Sequence, residues 1–84
     1  MTVEKLSEDN VNHPKHYNIG DMEVIDIIKE ISKYIENPFD MALITNIIKY
    51  ICRYQHKENE LQDIKKGQWY FNRLVKEVEE RNTP

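Results

Sequence analysis

The sequence predicts an all-α domain of three helices behind an ordered N-terminal arm, and three observations carry that reading. Apolar residues recur at helical spacing in three stretches. Proline, glycine and asparagine punctuate the gaps between them. No stretch alternates apolar with polar residues as a half-buried strand would, so no strand is expected.

The first helix is expected to start at Asp21, a good N-cap, with Glu23 in its first turn facing the positive end of the helix dipole. Val24, Ile27, Ile28, Ile31 and Ile35 make its apolar stripe, and Asn37-Pro38 ends it. Pro38 or Phe39 opens the second helix, whose buried face is expected to be Ile44, Ile47, Ile48 and Ile51. A polar break covers His56 to Asn59. The third helix runs from Glu60 to Glu80, with Leu61, Ile64, Phe71, Leu74, Val75 and Val78 expected to point inward. Gly67 inside it costs about 1 kcal/mol relative to alanine. Upstream, Pro14 disfavours helix at His13 and Gly20 closes the segment, which predicts an arm. The domain layout is therefore a flexible N-terminus over 1–12, one helical domain over 13–80 and a short tail over 81–84.

At 84 residues the chain is one small domain with little capacity for a core. Its single cysteine, Cys52, permits no intrachain disulfide and suits a reducing, cytoplasmic setting. Oligomerisation is the remaining way to enlarge the core, so a homo-oligomer is expected. No apolar run approaches the roughly 20 residues of a membrane span. The net charge of −3 hides an asymmetry. Residues 1–40 hold nine acids and four lysines, whereas residues 41–84 hold eight bases and six acids. That balance excludes a basic coat for extended nucleic acid but leaves room for a local cationic pocket.

Two polar stripes mark where such a pocket would lie. Asn46, Lys49, Tyr50, Arg53 and Lys57 share one face of the second helix; Asp63, Lys66, Tyr70 and Arg73 share one face of the third. Antiparallel packing would set the stripes side by side, with lysine and arginine for phosphate oxygens and tyrosine rings for a flat base. Lys49 and Arg53 stand opposite the apolar stripe, so their loss should weaken binding and spare the fold. The blander reading is a solvated face. Asp63 is the candidate catalytic residue, orienting a metal or a hydroxyl; with Glu60 it could share a magnesium ion, though a surface N-terminal turn accounts for both acids equally well. His13 and His16 lack further ligands nearby, so no metal site is expected there. Together with Tyr17 they either fold over the groove as a lid or merely pack the arm against the first helix. The two glycines stand far apart, which excludes glycine-rich phosphate loops, and Cys52 reads as a small buried hydrophobe.

The run Asn12-His13-Pro14-Lys15-His16-Tyr17, followed by Glu23-Val24-Ile25-Asp26, resembles the opening of the SaV-like family of small phage proteins, which includes the nucleotide kinase of bacteriophage T7. Asn46-Ile47-Ile48-Lys49-Tyr50, Arg53, Lys57, Asp63-Ile64-Lys65-Lys66 and Trp69-Tyr70 are similar to its later motifs, so the resemblance spans Asn12 to Leu74. Thr45, Glu58-Asn59 and Gly67 depart from the pattern. The resemblance implies a phage protein in the cytoplasm of an infected bacterium, linked to nucleotides. Three functions follow as expectations: a kinase-like phosphotransferase without a phosphate loop; a non-catalytic binder that sequesters a nucleotide or cyclic-nucleotide signal of host defence; and a regulatory protein-interaction module.

Overall fold

The computed structural model describes residues 18–56 and 58–84. The expected flexible N-terminus and the arm residues His13, His16 and Tyr17 lie outside these residues, as does Lys57. The described chain opens with a hairpin: β1 (Asn18–Ile19) pairs antiparallel with β2 (Met22–Glu23), in the register Asn18 to Glu23 and Ile19 to Met22. Gly20 takes φ +58°, the left-handed conformation that a two-residue hairpin turn requires and that glycine adopts without strain. The expectation of no strand is corrected here, because two-residue strands are too short for alternation to register.

α1 spans Val24–Ser32, beginning later than the Asp21 start expected from its capping chemistry, because Asp21 belongs to the hairpin turn. It also ends before Ile35. Asn37 instead caps the next helix, its Oδ1 accepting from the backbone N–H of Phe39 (2.9 Å) and Asp40 (3.0 Å). Pro38 follows at the first helical position, where its missing N–H is harmless. α2 runs Pro38–Arg53, passes into a 3₁₀ turn at Tyr54–His56, and α3 occupies Glu60–Arg81. The all-α class and the three helices are as the sequence predicts. Among the described residues, no helix is long and apolar enough to cross a membrane.

α2 and α3 pack antiparallel and are clasped at both ends. Near the turn, Arg53 donates from Nε and Nη2 to the two Asp63 oxygens at 3.2 and 3.3 Å. At the far end, Arg81 donates to both oxygens of Asp40 at 2.8 and 2.7 Å. Between the clasps, Gly67 is buried, and a Cβ placed on it would lie 3.3 Å from the Tyr50 Cβ. The face of α3 turned toward α2 is therefore Asp63, Gly67, Tyr70, Leu74, Glu77 and Arg81, six positions at helical spacing.

That rotation overturns the expected core. Leu61 is 66% exposed, Phe71 53%, Val75 42%, and Ile64 and Val78 are also exposed; of the stripe expected inward only Leu74 is partly covered. On α2, Ile51 is exposed, and Ile44, Ile47 and Ile48 are half-buried rather than sealed. Among the described residues only two apolar side chains are buried, Val24 and Leu43. The reason is steric: α3 turns its residue without a side chain onto Tyr50, and the two carboxylate–arginine clasps lie on the same side of the helix as that notch.

Two predictions follow from this packing. Gly67→Ala gains about 1 kcal/mol of helix propensity. It also pushes a methyl group into the base of the Tyr50 side chain, an overpacking that typically costs 1–3 kcal/mol. Urea denaturation should show a net loss of about 1 kcal/mol; a gain of that size would refute the close approach. The second concerns acid. The hydrogen bonds from Arg81 hold the Asp40 carboxyl below its ordinary pKa. Asp40 thus binds a proton more weakly folded than unfolded, so its contribution is complete above roughly pH 4 and fades as pH falls through its lower folded pKa. Melting temperatures recorded down the acid range should fall less for Asp40→Asn than for the wild type.

Candidate functional site

Tyr50 organises the exposed side of the α2/α3 hairpin. It stands one residue after Lys49 and one helical turn before Arg53, so both can reach its ring; α3 adds Lys66, the residue next to the Gly67 notch. The Arg53 guanidinium carbon sits 4.9 Å from the ring centroid, the Lys49 Nζ 5.6 Å and the Lys66 Nζ 6.0 Å. Each lies within the range in which a ring's π face attracts a cation. The Tyr70 ring stacks on Tyr50 with centroids 6.0 Å apart and planes 20° from parallel. Trp69 meets Tyr70 edge-on at 5.1 Å. Beyond them, Arg73 lies 5.4 Å from the Phe39 ring and pairs with Glu77 at 2.8 Å.

The two stripes read from the sequence thus do converge, bringing together Lys49, Tyr50, Arg53, Asp63, Lys66 and Tyr70. Asn46 stands on the same side of α2, its Nδ2 donating to the Ala42 carbonyl at 3.0 Å. His13, His16, Tyr17 and Lys57 lie outside the described residues, so the choice between lid and packing arm falls there too.

Electrostatics give the cluster its character. Asp63 is a carboxylate drawn into it, with its side chain 6% exposed and both oxygens on Arg53. An acid so engaged is poorly placed to orient a hydroxyl or hold magnesium, the roles expected for it. Among the described residues, no three histidine, cysteine, aspartate or glutamate side chains gather where they could hold a metal ion. Lys49 and Lys66 form no ion pair among the described residues. Two ammonium groups and a guanidinium therefore share one ring.

Two open clefts border the cluster. One of about 440 Å³ lies at the turn, lined by Arg53, His56, Glu58, Asn59, Gln62 and Asp63. The other, about 970 Å³, runs along α3 past Leu61, Lys65, Lys66 and Trp69. Cys52 is partly buried, and burial pushes its thiol pKa up, away from the reactive thiolate.

Sequence reasoning missed the Asp40–Arg81 clasp, whose partners are 41 positions apart, and the approach of Arg73 to Phe39. It also left Trp69 out of the candidate site. The adjacent aromatic pair Trp69-Tyr70 was the available signal.

No curated protein and no solved structure matches the chain. One family does, and it is not the one the motifs suggested. The resemblance to the SaV-like proteins is corrected: residues 11–72 match DUF3310, and nothing links the chain to the family of the T7 kinase. The short motifs behind that resemblance are mostly surface lysine, tyrosine and aspartate positions on helices, a pattern that amphipathic helices share widely. With roughly three quarters of its length covered by the match, the chain belongs to DUF3310, a family of proteins of unknown function.

Proposed function

We propose that the chain binds a nucleotide, acts as a homo-oligomer in the reducing cytoplasm, and holds its ligand without transforming it. The observation that carries this reading is the cluster at Tyr50: three cations within 6.0 Å of one ring, Lys49 and Lys66 among them without a carboxylate partner among the described residues. An anion placed there neutralises a repulsion already built into the free protein. Phosphate oxygens suit the ammonium groups, and the exposed ring of Trp69 beside Tyr70 offers a flat base a stacking face. Simple binding is favoured over phosphoryl transfer because Asp63, the candidate catalytic acid, is paired through both oxygens with Arg53.

The lysines and Arg53 should behave differently when removed. Lys49→Ala and Lys66→Ala should each weaken binding of a nucleoside triphosphate by about 10-fold, roughly 1.4 kcal/mol. Both should leave the melting temperature of the free protein unchanged or raised, since each removes a cation from a crowded cluster. Arg53→Ala leaves Asp63 buried without its partner and should destabilise the fold by about 3–5 kcal/mol; the expectation that its loss spares the fold is revised accordingly. Calorimetry against inorganic phosphate and mono-, tri- and cyclic nucleotides checks the proposal. It fails if no nucleotide binds more tightly than phosphate, or if the lysine variants bind as the wild type does.

A further inference from the structure

The exposed apolar stripe of α3 has an order that a merely uncovered surface does not need. Leu61, Ile64, Gln68, Phe71, Val75 and Val78 follow one another at spacings of three and four, the a and d positions of successive heptads. All six are exposed, and they lie about a quarter-turn away from the face that packs on α2. α3 is thus engaged with its own chain on one face and carries a complete coiled-coil seam on another.

We propose that this seam docks against the same seam of a second copy, α3 parallel to α3, forming a two-fold symmetric dimer. Three features select that occupant. The first is Gln68, the polar interruption at a central a position. In a parallel pair it faces its own counterpart and the two amides can hydrogen-bond across the axis. In an antiparallel pair a positions face d positions, and the amide would be buried against the Phe71 ring of the other copy without a partner. The second is charge. Glu60 precedes the first a position and Lys65 follows the first d position, the g and e places whose side chains meet across a parallel seam. Neither has an ion-pair partner among the described residues. The third is area. Counted with the exposed Ile51 of α2, the five apolar seam residues leave on the order of 500 Å² uncovered per chain, before the rim residues Glu60, Lys65 and Gln68 are added, against the roughly 800 Å² each partner gives a standard interface. Among the described residues two apolar side chains, Val24 and Leu43, are buried, a small core that the seam would enlarge.

This inference rests on the oligomer reading and stands apart from the nucleotide reading. In the dimer the Tyr50 ring and its cations remain on a different face of each hairpin, whereas the cleft along α3 shares Leu61 and Lys65 with the seam.

Sedimentation of the full chain tests the seam, with cross-linking to fix its direction. The wild type should be a dimer at micromolar concentration. Phe71→Glu, which places a charge on each side of the axis, should raise the dimer dissociation constant by about 100-fold or more. In a Cys52→Ala background, Leu61→Cys should give a disulfide-linked dimer on mild oxidation, because a parallel seam sets position 61 beside its counterpart. A wild-type monomer overturns both the seam and the oligomer reading. An oligomer that survives Phe71→Glu overturns the seam alone. Linkage failing at position 61 while the dimer persists overturns the parallel arrangement. Should Phe71→Glu fail to fold, the cross-link decides the matter, since Leu61 is already 66% exposed in the single chain.

Discussion

The close approach of Gly67 to Tyr50 governs the arrangement of this protein. Two helices joined by a short connection can pack at many rotations about their own axes, and apolar stripes normally choose among them. Here the choice falls to a notch. Without a side chain at position 67, α3 can bring its backbone against the root of Tyr50, within 3.3 Å of where a Cβ would stand. The two arginine–carboxylate clasps lie on that same face and lock it: Arg53 to Asp63 beside the turn, Arg81 to Asp40 at the open end. They differ in kind. The Arg53 pair is nearly buried and its bonds are long, so its main effect is the penalty for losing either partner. The Arg81 pair has shorter bonds and is more exposed, so solvent and salt temper it.

From that rotation the chemistry of the exposed face follows. Lys66 sits next to the notch and Tyr70 one turn beyond it, so the contact that brings α3 onto Tyr50 also brings a lysine and a second aromatic ring. Lys49 and Arg53 reach the same ring from α2. The result is a concentration of positive charge on a chain whose formal net charge is −3. Such a field is local, since the Debye length at physiological salt is about 8 Å, and it acts on a ligand only at close range. That fits a small anion held at the hairpin better than an extended polyanion laid across the molecule.

Much of this was legible in the sequence, for reasons that can be named. Three helices follow from apolar periodicity, and the boundary at Asn37-Pro38 from the capping preferences of those residues. The convergence of Lys49, Tyr50 and Arg53 with Asp63, Lys66 and Tyr70 follows from spacing and a short connection. The inward face of α3 was not legible, because periodicity shows that a helix has an apolar stripe but not whose surface will cover it. Gly67 reads as a local cost in helix propensity until Tyr50 is seen against it. The hairpin was half-announced by Gly20-Asp21, a good two-residue turn, but its strands are too short for any period to show. Asp40 and Arg81 meet only through the fold, and no local spacing joins them.

The hairpin ends with two faces of opposite character, one suited to the proposed anion and the other to the proposed second copy. On one, like charges crowd a tyrosine ring and their energy falls when an anion arrives. On the other, the five apolar side chains of the seam stand in water, and the proposed second copy would cover them. The Tyr50 ring and the seam lie on different faces of α3, so an anion on that ring and a second copy on the seam would each stabilise α3 in the rotation the other needs. Ligand and second copy would then both favour the same packing of α2 on α3, a coupling that operates through helix order alone and requires no contact between the two sites. In a chain whose described residues bury only Val24 and Leu43 among apolar side chains, such shared stabilisation bears on whether the hairpin is held in a single arrangement at all.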